Sequence, residues 1–181
     1  MVNAASQGDF AVIGQVLDDL ESSYPGTDLW NESPFRWVLA QPSATKGAIG
    51  RRLIQAWAYE RGLRLRQTRV NNQYYLELNS YLIQVKFSTL WDGGYYRFQQ
   101  IRDHEYDYCL CLGLAPMDAN AWLIPKYVLD THVIGTRGQH TGAGSGETWW
   151  FEATPGYEPL WLAECGGQLI DVGEGLVDLG R

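Results

Sequence analysis

No apolar run in this 181-residue chain is long enough to cross a bilayer. Its opening stretch, MVNAASQGDF, lacks the basic start and apolar core of a secretory signal. The expectation is a cytoplasmic protein with no membrane partner. Cysteine is scarce: the chain has Cys109, Cys111 and Cys165, with no CxxC motif and no His-Cys cluster beside them. Cys109 and Cys111 share one face of a strand and read as buried thiols rather than as a zinc site. His104, His132 and His140 are scattered and form no HExxH pair. A Walker loop and a GxGxxG turn are also missing, so nucleotide-dependent chemistry has no positive support.

What the chain does have is 45% hydrophobic and 13% aromatic residues, the composition of a folded globule. The length suits one domain, residues 1–181, with no linker to divide it. The net charge of −7 is distributed unevenly. Residues 1–35 hold six acids and no Lys or Arg, and residues 147–181 hold seven acids against Arg181 alone. Between Lys46 and Arg69 lie seven basic residues and one acid, Glu60. Such a stretch is either a solvated helix face or a surface for phosphate.

Helical spacing of Phe10, Ile13, Leu17 and Leu20 predicts a first helix, stopped by Pro25-Gly26. A second runs from about Thr45 to Arg61, with Ser43 or Thr45 as its cap, Ile49, Leu53 and Trp57 as its apolar stripe, and Gly62 at its end. Strand patterns follow at Leu63–Arg66, 73–79 and 81–88. Tyr95–Arg102 reads as a short helix, Tyr108–Leu114 as a buried strand, and Ala121–Ile124 as a strand closed by Pro125. Residues 135–146 read as a Gly-rich loop, and Trp149–Phe151 returns as a strand in an irregular β-rich end. The fold class is a mixed α/β sheet.

The informative pair is 73–79 and 81–88. With Asn79-Ser80 as the turn, Leu78 faces Tyr81, Glu77 faces Leu82 and Tyr75 faces Gln84. Glu77, Gln84 and Lys86 then share a face, Glu77 and Gln84 being diagonal neighbours at roughly 7–8 Å. Two oxygen ligands followed by a lysine suit metal-assisted phosphodiester hydrolysis, Lys86 orienting water or stabilising charge on the phosphate. As a bland alternative, Glu77 and Lys86 are a cross-strand ion pair.

Glu77-x6-Gln84-Val85-Lys86 resembles the acid…(D/E)xK signature of the PD-(D/E)XK nucleases. KGAIG at 46–50, with the apolar helix after it, resembles the corresponding helix of the mismatch-repair nicking endonuclease and related restriction enzymes. FQQIRDHEYDYCLCLGLAP at 98–116 resembles the helix and buried strand that follow the site in restriction enzymes. The resemblance covers about residues 34–128. It implies a restriction-endonuclease-like mixed β-sheet flanked by helices, and a metal-dependent DNA endonuclease. Mg2+, or Mn2+ in its place, would be held by Glu77, Gln84 and the Val85 carbonyl. Double-stranded DNA would be the partner, contacted by Lys46, Arg51, Arg52, Arg64 and Arg66. RGQHTGAGSG at 137–146 adds Arg137, Gln139 and His140 as candidate contacts, and double-strand cleavage would need a homodimer or a partner subunit. The chain departs from the pattern at Glu77, where the family usually has Asp, at Gln84, where it usually has Asp or Glu, and at Ile54, where some members carry a helix acid. A second reading is therefore a nuclease-fold DNA-binding or accessory module without efficient cleavage. A third is a protein-interaction domain whose acidic ends bind a basic partner. Asp103, Glu105 and Asp107 read as a solvated turn or a second ion site, Trp91–Gly94 as a plain turn, and Trp149, Trp150 and Trp161 as core packing or base-stacking groups.

Overall fold

A computed structural model of the protein describes residues 13–16, 29–136, 138–139 and 147–181. The chain divides into two units, Met1–Asn31 and Glu32–Arg181. In the first, residues 13–16 form a helical turn. Phe10, Leu17 and Leu20 of the expected first helix lie outside the described residues. The second unit carries both sheets.

Helix α1 spans Ser43–Glu60 and begins after Pro42, whose φ of −57° and ψ of 151° turn the chain into the helix. No side chain caps it, so the expected capping by Ser43 or Thr45 is not made. Gly62, at φ 79°, carries the chain away from its C-terminal end. The buried face is Gly50, Ile54 and Ala58, one residue round from the expected Ile49–Leu53–Trp57 stripe, and Leu53 is exposed. The small residues decide this rotation. A Cβ on Gly50 would stand 2.5 Å from the Phe87 Cβ, so only this face lets the helix settle close to the sheet. Gly50→Ala is therefore expected to lower stability by about 1–3 kcal/mol through overpacking, despite a helix-propensity gain of up to about 1 kcal/mol. Gly47→Ala is the control, because its Cβ would meet only the tip of Arg51, at 3.8 Å. Urea midpoints that move together in the two variants would refute the close-approach argument.

β1 (Arg66–Val70), β2 (Gln73–Leu78) and β3 (Tyr81–Thr89) form an antiparallel meander. Its turns are Asn71-Asn72 and Asn79-Ser80, all four residues at positive φ, the backbone of tight primed hairpin turns. The Leu63–Arg66 strand expectation is displaced: the strand starts at Arg66, although Leu65 is buried and Arg64 exposed as alternation requires. β5 (Tyr108–Leu114) pairs parallel to β3, and β6 (Ala119–Pro125) antiparallel to β5, giving a mixed five-stranded sheet of order β1-β2-β3-β5-β6.

The link between the parallel strands β3 and β5 is not the expected helix at Tyr95–Arg102. Tyr96–Ile101 is a strand, β4, with Tyr96 and Phe98 buried and Arg97 between them only partly so. That two-residue period decides the element, since helical spacing would not bury Tyr96 and Phe98 together. β4 pairs with β8 (Thr148–Ala153), which pairs with β7 (Gly138–Gln139), making a second, three-stranded sheet.

The large sheet separates two apolar clusters. On one face, Ile54 and Ala58 of α1 and Val172 and Leu176 pack with Leu76, Ile83, Leu110 and Leu112. On the other, Tyr96, Phe98 and Phe151 of the small sheet meet Tyr75, Cys109, Cys111 and Trp122. Helix α2 (Lys126–His132) and the short α3 (Leu160–Ala163) contribute Leu129 and Leu162 to that second cluster. The expected irregular β-rich end is corrected as well: beyond β8 the chain is helical, closing with α4 (Leu169–Leu179). A capping box between Gln168 and Asp171 starts α4 and overrides the poor helix propensity of Gly173 and Gly175.

Candidate functional site

The hairpin register is the expected one, with Glu77 opposite Leu82 and Leu78 opposite Tyr81. The ladder ends at Leu76–Ile83, however, although β2 reaches back to Gln73 and β3 runs on to Thr89. From Gln84 onward β3 keeps β5 as its ladder partner and none on the β2 side. A cleft of ≈ 560 Å³ opens along that edge. The first turn of α1, with Ser43, Lys46 and Gly47, and Arg51 one turn on, forms one wall. Trp91, Arg97, Gln99 and Gln100 form the other, and Gln84 and Lys86 lie on β3 between them.

The lining is cationic. Lys46, Arg51, Lys86 and Arg97 face the cleft, and none of its described lining residues is Asp or Glu. Arg97 is ion-paired behind the wall, its Nε and Nη2 donating to Glu152 Oε1 at 3.0 and 2.6 Å. Lys46 and Arg51 make no ion pair among the described residues. α1 adds its own polarity, since its uncapped first turn brings backbone N–H groups and the positive end of its dipole to the same place.

Lys86 Nζ donates to the Gln100 carbonyl. Gln100 sits at φ 56°, where the β4–β8 register slips between Phe98 and Ile101. The bulge turns a carbonyl out of the small sheet toward the lysine. Burial pushes the Lys86 pKa down; the neighbouring Cys109 and Cys111 oppose that, and Arg102 adds to it. Gln84 is 6% exposed, and its Oε1 is buried without a hydrogen-bond partner among the described residues.

Glu77 is elsewhere. Its carboxylate accepts from Arg66 Nη2 at 2.7 Å, the residue directly across the β1–β2 ladder, and it does not line the cleft. The structure thus brings Gln84 and Lys86 together but leaves Glu77 on the same sheet face, committed to Arg66. Magnesium favours an oxygen site with at least one or two carboxylates. Here the cleft lining offers the Gln84 amide and no carboxylate, so an ion held there by Glu77 as well would need that carboxylate turned away from Arg66.

No family model, curated protein or solved structure matches the chain. The reading of the site therefore stands on these residues and their geometry.

Of the expected DNA contacts, Lys46 and Arg51 line the cleft. Arg52 is exposed on α1 outside it, Arg64 stacks on Tyr59 at 3.9 Å, and Arg66 holds Glu77. Arg137 and His140 lie outside the described residues, and Gln139 is placed by its backbone in β7. Asp103 and Asp107 hold structure: Asp103 pairs with Lys126 at 2.8 Å, and Asp107 accepts from the Leu82 amide at 2.7 Å. Trp91–Gly94 is the expected turn, closed by the Gly94 amide on the Trp91 carbonyl. Cys109 and Cys111 are fully buried with their Sγ atoms 3.7 Å apart, and burial raises the Cys111 pKa. Trp149 and Trp161 pack on the core, and Trp150 lies under Arg97.

The residues that sequence reasoning missed are Tyr74, Trp91, Arg97, Gln99 and His104. The alternation of Tyr96 and Phe98 with Arg97 and Gln99 was the available signal for two of them. The expected pairing of Tyr75 with Gln84 is not made, because the ladder stops one pair earlier; Tyr75 lies instead beside His104, with Tyr75 Oη and His104 Nδ1 3.4 Å apart at a second cavity of ≈ 300 Å³. Burial lowers the His104 pKa below 6.5, with Arg102 and Lys86 pushing the same way and Asp103 opposing. Below 6.5 the unfolded chain takes up this proton more readily than the folded one. The stability so conferred is complete above that value and is lost as pH falls through the lower folded value. Melting temperature should therefore begin to fall as the pH drops below 6.5, and fall less in His104→Gln. Parallel curves for the two proteins would rule out this contribution.

Proposed function

We propose that the chain is a nucleic-acid-binding domain whose cleft takes up the phosphodiester backbone without hydrolysing it. The observation that carries this reading is a cleft with four cations and no acid among its described lining residues, set at the uncapped start of an 18-residue helix. Lys46 and Arg51 supply charge that can displace counterions from phosphates. The first-turn amides of α1 and the Gln84 amide supply direction. A chain of net charge −7 repels polyanions as a whole, so the local field of this wall decides where one lands.

Fluorescence anisotropy of a labelled oligonucleotide across a salt series tests it. Log affinity should fall linearly with log salt, and Lys46→Ala and Arg51→Ala should each weaken binding and flatten the slope by about 0.7–0.9. Binding that ignores salt, or is indifferent to both substitutions, would sink the proposal.

A second reading is a metal-dependent endonuclease, favoured by the shared sheet face of Glu77, Gln84 and Lys86 and by the sequence resemblance to PD-(D/E)XK enzymes. Plasmid nicking with Mg2+ or Mn2+, compared among wild type, Glu77→Ala and Lys86→Ala, separates the two. Cleavage lost in both variants would favour the enzyme. Equal background in all three would favour the binding domain.

A further inference from the structure

We propose that the strand bound in this cleft is single-stranded nucleic acid, with unpaired bases placed against two aromatic–guanidinium stacks at its rims. This rests on the phosphodiester-binding reading and deepens it. Two large aromatics line the cleft and keep much of their surface in solvent, Tyr74 at 44% and Trp91 at 41% exposed. Each is paired with planar cations. Arg51 and Arg69 lie 5.2 and 5.3 Å from the Tyr74 ring centroid, and Arg97 lies 4.4 Å from that of Trp91. Tyr95 braces Trp91 by stacking at 5.7 Å, and the Arg97–Glu152 pair fixes the guanidinium between Trp91 and Trp150.

The two stacks come from different elements. Tyr74 projects from β2 beside α1, and Trp91 stands in the link before β4. Gln84 and Lys86 lie on the strand edge between these walls. Aromatic rings and guanidinium planes both stack on bases whose faces are free, and a cationic groove with aromatic rims holds single strands irrespective of sequence. A duplex keeps those faces inside its own stack. Depth argues the same way: Gln84 is 6% exposed, so a backbone must descend between the walls to reach it. A flexible strand can do this, whereas a duplex presents its phosphates on the outside of a stiff cylinder.

The test compares anisotropy of one labelled oligonucleotide, alone and annealed to its complement, at fixed salt. The single strand should bind tighter, and Trp91→Ala and Tyr74→Ala should each weaken it about tenfold, a larger loss than either causes in duplex affinity. Trp91→Phe, which keeps a ring, should restore most of the loss. Duplex binding as tight as single-strand binding overturns this inference and leaves the phosphodiester-binding reading standing. A single-strand preference that survives both alanine substitutions also overturns it. Absence of salt-dependent binding to either form overturns both.

Discussion

Replacing Trp122 with alanine is expected to cost about 3–5 kcal/mol, a large share of the roughly 5–15 kcal/mol that holds a domain together. Trp122 is completely buried on β6, where the large sheet meets the small one. Its ring meets Tyr96 at 6.0 Å and Phe98 at 5.8 Å, both edge-on, so its removal leaves two β4 aromatics facing a void. The indole N–H has no hydrogen-bond partner among the described residues. Trp122→Phe removes that buried donor and keeps most of the ring, so its loss should stay within about 1–2 kcal/mol. Urea denaturation of both variants is the measurement. Equal losses would mean that ring packing is not what Trp122 contributes.

The second large effect concerns function rather than stability. Lys86→Met should weaken nucleic-acid binding at least about tenfold and lower the salt slope by about 0.7–0.9, while the melting temperature holds or rises. Methionine keeps the length of the stem and removes an ammonium that burial desolvates, the effect that pushes its pKa down. The Gln100 carbonyl loses its donor, but Gln100 is exposed and water can replace the bond. A variant that loses both stability and binding would make Lys86 a structural residue joining β3 to the β4 bulge. One that loses neither would remove it from the site.

Much of the frame was legible because local chemistry and tertiary demand agree there. Asn79-Ser80 takes the positive φ values of a tight turn, and the alternation on either side fixed the register found in the β2–β3 ladder. The run Tyr108–Leu114 is apolar on both faces because clusters lie on both sides of β5. Where reading failed, a distant partner had the casting vote. The stripe of α1 is rotated because Phe87 claims the space at Gly50. α4 survives two internal glycines through a capping box and the burial of Val172 and Leu176.

The site itself was half legible. Alternation was enough to put Gln84 and Lys86 side by side. It could not show that Arg66, itself a candidate phosphate contact, would occupy Glu77, because that pairing depends on the register of β1. Nor could it show the cleft, which exists because β2 and β3 part company after Ile83. The opposite wall depends on β4 belonging to another sheet.

β3 has a consequence for how such a chain can change over generations. Its odd and even positions serve different masters: Ile83, Val85 and Phe87 feed the cluster under α1, while Gln84 and Lys86 face the other way. A deletion or insertion of one residue in the strand beyond Ile83 would exchange the two sets, sending a lysine toward the α1 cluster and a phenylalanine toward the opposite face. Point substitutions can therefore tune either side alone, but a one-residue length change in this strand alters both at once. Lineages descending from such a chain should tolerate gaps near the Trp91–Gly94 turn and keep the length of residues 83–88 fixed.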